Sequence, residues 1–142
     1  VVPLNLSTFS SIRATTELTQ IIYQMALAAA AVNNFRTVTK VVGFTTDVVY
    51  EAPVGFVGVI LLAQCANVGA TEQTLSFYHN RSTAGLGTVT TEIIKDFPIP
   101  GNDTANVLSG KLVLETGDTI SVQGSSQTDL KFLTSILETF NQ

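Results

Sequence analysis

Charge is what this chain has least of. Asp, Glu, Lys and Arg make up 13% of its 142 residues, about half the share usual in soluble proteins. A free monomer uses surface charge to stay apart from its neighbours. A chain this poor in charge either enters a membrane or buries much of its surface on partners. Long apolar runs are missing as well. Residues 21–32 are interrupted by Gln24, and residues 54–66 hold Gly55, Gly58 and Gln64. A spanning helix needs about 20 apolar residues. No membrane partner is expected, and burial on other proteins is.

Cysteine, histidine and tryptophan are as scarce. Cys65 stands alone, which excludes an intrachain disulfide and a zinc cluster. It lies in Leu61-Leu62-Ala63-Gln64-Cys65-Ala66, which reads as a buried strand, so the thiol is expected in the core. His79 is the single histidine. It ends a strand with no carboxylate near in sequence to orient it, so catalysis by it is not expected. The absence of Trp removes the best sugar-stacking side chain and leaves Tyr23, Tyr50 and Tyr78. No Gly-x-Ser-x-Gly elbow or phosphate-binding Gly-x-x-x-x-Gly-Lys run occurs. Gly85-Leu86-Gly87 reads as a turn. The acids fall singly, several at turns. Asp103 and Asp118, in separate loops, are the one candidate pair for calcium. Neither an enzyme nor a cofactor is expected, and no residue is assigned as catalytic or metal-binding.

Positive charge is sparse over most of the chain. Residues 1–40 hold three bases and one acid, and residues 41–142 hold four bases and ten acids. No two basic residues are adjacent. A nucleic-acid partner needs clustered Lys and Arg, so none is expected.

What is present divides at about residue 34. Residues 1–34 read as an N-terminal arm. Its apolar residues Leu18, Ile21, Ile22, Met25, Ala28, Ala29 and Val32 recur at three- and four-residue spacing, one stripe on a helix over 16–33. Thr15 or Thr16 suits the N-cap, and Asn33-Asn34 suits the end. Glu17, Thr19, Gln20 and Gln24 speak against a signal peptide. The opposite face lacks Lys and Arg, and Ala28–Ala31 lets another backbone approach. Phe9, Ile12, Gln20, Gln24, Leu27, Ala30 and Ala31 are therefore the candidate subunit-contact residues.

Residues 35–142 change to a period of two. Strands are expected over 37–42, 47–51, 58–66, 74–79, 88–98, 105–115 with a bulge at Gly110, 119–123 and 129–140. Asn80–Gly87 reads as a long turn, and Pro100-Gly101-Asn102-Asp103 as a tight one. Leu130, Phe132, Thr134 and Ile136 alternate with Lys131, Leu133, Ser135 and Leu137. Most Phe are expected in the core, with Phe9 and Phe140 as terminal anchors. About eight short strands with Gly/Pro/Asn turns predict a mainly β protein, an antiparallel, jelly-roll-like β-sandwich behind a helical arm.

Three stretches carry a family resemblance. Tyr50-Glu51-Ala52-Pro53-Val54-Gly55 is a turn followed by the apolar strand through Gln64 and the loop Asn67-Val68-Gly69. Ile99-Pro100-Gly101-Asn102-Asp103 leads to Gly110–Ile120, and Leu133–Glu138 lies near the end. Over residues 46–138 these stretches resemble small β-sandwich virion proteins of tailed bacteriophages, and the arm resembles those of T4-like cyanophages. The resemblance implies a virion location and a non-enzymatic structural role with no catalytic residues to carry over. A capsid decoration or cement subunit is expected foremost, as a homo-oligomer bound to other virion proteins such as the major capsid protein. A neck, tail or baseplate component, a glycan-binding module and a pilus subunit are the alternatives.

Overall fold

The computed structural model describes residues 13–22, 33–83 and 85–141. The chain divides into two units, residues 1–32 and 33–142.

In the first unit, residues 13–22 form helix α1. Leu18, Ile21 and Ile22 share one side of it by their spacing, and each is more than half exposed. Thr15 and Thr16 lie inside the helix rather than at its cap, because the helical turn already includes Arg13. Thr19 Oγ1 donates to the Thr15 carbonyl (2.8 Å), the bond back along the helix that a threonine makes in an interior position. Met25, Ala28, Ala29 and Val32 lie outside the described residues.

The second unit holds β1 (Asn33–Val41), β2 (Asp47–Glu51), β3 (Phe56–Asn67), β4 (Gln73–Thr83), β5 (Gly87–Ile99), β6 (Asp103–Asn106), β7 (Leu112–Leu114), β8 (Thr119–Gly124) and β9 (Leu130–Phe140). Asn33 and Asn34 open β1 instead of ending the helix. Asn34 donates to Glu138 of β9 (2.9 Å), and cross-strand pairing outweighs the local tendency of Asn to terminate.

One sheet runs β1-β9-β3-β6, with β7 also on β3, and the other runs β2-β8-β4-β5. Every pairing is antiparallel. The first strand pairs with the last, the second with the one before it, and so inward to β4 with β5. That is a long hairpin rolled into two sheets, the jelly-roll order. β6 and β7 are two halves of one strand on β3, expected from sequence as a single run. Between them Val107 N donates to the Ala63 carbonyl (3.0 Å), and Gly110 takes φ +150°. The expected long turn over 80–87 is shorter: β4 and β5 stay paired from Gln73–Ile99 out to Thr83–Gly87.

The core lies between the sheets. Along β9, Leu130, Phe132, Thr134, Ile136 and Glu138 are buried and the residues between them are not. Phe132 meets Phe77 of β4 across the sandwich, ring centroids 5.6 Å apart. β3 keeps its apolar residues inward by a bulge. Ile60 pairs with Ile136 and Leu62 with Ser135, leaving Leu61 extra. The inward set thus changes from Gly58 and Ile60 to Ala63, Cys65 and Asn67. The expectation that most Phe are core fails. Phe77 and Phe132 are buried, but Phe35, which faces out of its strand, Phe44, in the loop after β1, Phe97 and the strand-end Phe140 are exposed.

Candidate assembly surface

Three buried polar clusters tie segments of the sandwich together. At the start of β1, Glu138 Oε1 accepts from Tyr50 Oη (2.9 Å) and Arg36 Nη1 (2.9 Å), and Oε2 accepts from Asn34 Nδ2 (2.9 Å). β9, β1 and β2 are joined there, across both sheets. Gly58 leaves room for the Tyr50 ring: a Cβ would stand 3.1 Å from it. Burial raises the Glu138 pKa, but the bonds from Asn34, Arg36 and Tyr50 outweigh it and hold the carboxyl below its usual value. Burial, then the bond and charge of Glu138, push the Tyr50 phenol well up, against the pull of Arg36.

The second cluster centres on Asp118. It accepts from Ser82 N (3.1 Å) and Glu115 N (3.1 Å), and its Oδ2 lies 3.1 Å from His79 Nε2. His79 therefore has the carboxylate partner that sequence proximity did not reveal, 39 residues away. Asp118 is engaged in these bonds and not with Asp103. Among the described residues, no three His, Cys, Asp or Glu side chains converge as metal ligands would. In the third cluster Asn67 Nδ2 donates to the Thr71 and Ile99 carbonyls (2.8 and 2.9 Å), tying the loop after β3 to the end of β5. Cys65 is buried as expected, and burial pushes its thiol up to about 12 despite a backbone bond from Lys131.

The two outer faces differ in chemistry. On the β2-β8-β4-β5 sheet, Asn80 donates to Thr119 Oγ1 and Ser121 Oγ (3.0 Å each) and accepts from Thr90 Oγ1 (2.9 Å). A polar groove of about 310 Å³ lies beside Tyr78. Its groups are tied internally: Asp96, at φ +47°, donates its N–H to Ser76 Oγ (2.9 Å), and Gln123 donates to the Phe44 carbonyl (2.8 Å).

On the other sheet the outer face is apolar. Phe35 stands opposite Leu137, Leu137 opposite Val59, and Val59 opposite Val113, one row across four strands. Phe35 is 73% exposed and Val113 55%. The next row holds Thr37, Ser135 and Leu62. Beyond them Thr39, Leu133, Gln64, Val41, Lys131 and Ala66 border a shallow groove of about 410 Å³. Among the outward strand positions of this sheet, Lys131 is the one charged residue. Sequence alternation marks each strand's outward residues, but the row exists only once register aligns them.

Of the residues expected to make subunit contacts, Gln20 is exposed on α1, and Phe9, Ile12, Gln24, Leu27, Ala30 and Ala31 lie outside the described residues. No helix of the described residues is long and apolar enough to cross a membrane.

No family model matches the chain, and no curated protein does. Among solved structures, a chain of the disulfide-linked pili of Bacillus endospore appendages aligns at 12% identity over 78% of this chain and 88% of that one, TM-score 0.45. A chain of the capsid of a Helicobacter pylori bacteriophage aligns at 8% identity over 78% and 90%, TM-score 0.47. VP2 of the infectious bursal disease virus subviral particle aligns at 9% identity and TM-score 0.44, over 77% of this chain. This chain spans 33% of the length of that VP2 chain.

Proposed function

We propose that the chain is a non-enzymatic structural subunit of a virion, a capsid decoration or cement protein of a tailed, T4-like phage. The observation that carries this reading is α1, which exposes Leu18, Ile21 and Ile22 on one side in a segment continuous with β1. An exposed aliphatic stripe on a helix needs a partner surface. The sandwich supplies a rigid body, closed at both ends by buried polar clusters, and residues 1–32 supply the reach to a neighbour. Repeated over a lattice, modest contacts add by avidity.

The test is re-addition. Purified chain added to shells prepared without it should bind and raise the temperature at which they disrupt. Shells that bind the chain but gain no resistance would sink the cement role. A neck, tail or baseplate component is the competing placement. Quantitative mass spectrometry of particles separates the two, since cement matches the shell lattice in copy number and a neck or tail component matches one small ring.

A further inference from the structure

We infer that the outer face of the β1-β9-β3-β6/β7 sheet is a homotypic interface, covered in solution by the same face of a second copy of this chain. The inference stands on the sheet itself and does not depend on the virion reading.

Three long strands and the broken β6/β7 strand, about 4.8 Å apart and paired over about nine residues, give a face of about 19 by 30 Å. Two such faces in contact would bury on the order of 1,100 Å², enough for a specific interface at its lower bound of about 1,000 Å². The chemistry suits a copy of itself. In a two-fold contact each patch meets its own kind, so a face with several like charges would repel its copy. Among its outward strand positions this one carries Lys131 alone, at the end of the sheet away from the Phe35–Leu137–Val59–Val113 row; Lys40 also borders the groove there, its charge paired with Asp47 (3.4 Å). A two-fold axis running across the strands through the Thr37–Ser135–Leu62 row sets the two Lys131 side chains at opposite ends of the contact. The remaining outward residues are aliphatic, aromatic, hydroxyl or amide side chains, able to pack as two sheets do about 10 Å apart. The polar face of the other sheet offers no such surface, because its side chains already bond to one another.

Sedimentation velocity of the full chain over a wide concentration range reads the outcome. The wild-type chain should self-associate. Ser135→Arg and Thr37→Arg each place a charge at the centre of the contact without removing an apolar side chain, and should weaken association by about 100-fold. Thr90→Arg, on the polar sheet, should leave it unchanged. Circular dichroism and continued protection of Cys65 from thiol reagents show that each variant is folded. A wild-type chain that stays monomeric overturns the inference. So do Arg variants that keep the wild-type mass, which would assign association to residues 1–32 or to another surface. Shell binding by Ser135→Arg reports on the cement role separately, since that role rests on the N-terminal segment.

Discussion

Glu138 shows what one residue does in a charge-poor chain. Its carboxylate is buried and takes three donors, while Arg36 keeps about half its side chain in water. Replacing it with Ala leaves Tyr50 Oη without its acceptor inside the sandwich. Glu138→Ala should therefore lower stability at neutral pH by about 2–3 kcal/mol, read from the urea midpoint. The pH dependence has a definite sign. A carboxyl held below its unfolded value stabilises the fold above that value, about 4.3, and loses the contribution as pH falls through the lower folded value. The gap between wild type and Glu138→Ala should narrow toward pH 3. A gap that stays constant would mean that the carboxylate's charge is not its source. Tyr50 acts at the other end of the scale. Its raised value gives a contribution present below about pH 10 and lost above it.

At the scale of elements, close turns fix how the sheets meet. Gly101 sits where a Cβ would stand 2.3 Å from the Ala70 carbonyl oxygen, so the turn after β5 lies against the loop after β3 with no room between. Asn102 N donates to the Gly69 carbonyl there (2.9 Å). Gly101→Ala should cost about 1–3 kcal/mol by equilibrium unfolding. An unchanged midpoint would show that the turn yields freely. The strands were legible where alternation ran unbroken. Residues 47–51 match their expected bounds, and β9 alternates as its sequence does. The 105–115 run read as one strand, but the ladder on β3 breaks between Asn106 and Leu112, where Val107 is buried in the core while its N–H still bonds to Ala63. The extent of β4 was hidden because Asn80, Arg81, Ser82 and Thr83 look like turn residues. Two of their side chains find partners far along the chain: Asn80 on Thr119 and Ser121 of β8, and Arg81 on Glu115 just after β7 (2.8 Å). The same separation hid the partners of His79 and Glu138, since pairing at a distance leaves no local signal. The candidate surface was legible only as a shortage of charge. Its location needed register.

The whole sandwich has two unlike sides, one polar and internally bonded, the other apolar and nearly uncharged. That asymmetry suits a body that faces solvent on one side and protein on the other. The topology also sets how the chain folds. Closing β1 on β9 joins Asn33 to Thr139 across the entire sandwich sequence, and such non-local pairing is slow. Refolding followed by stopped-flow should take on the order of milliseconds to seconds. A microsecond phase that recovers all native signal would contradict the rolled-hairpin pairing as the limiting event.

The same β1–β9 pairing decides how the domain bears load. Tension drawn between Asn33 and the end of β9 pulls both strands from the same end of one antiparallel ladder, so the bonds would open one after another, as a zipper does, and not shear together. The second rung is Asn34 with Glu138, where the side chains of Asn34, Arg36 and Tyr50 all grip one carboxylate. The ladder is thus reinforced where peeling would begin, and a subunit pulled between these two ends would resist the first tug most strongly.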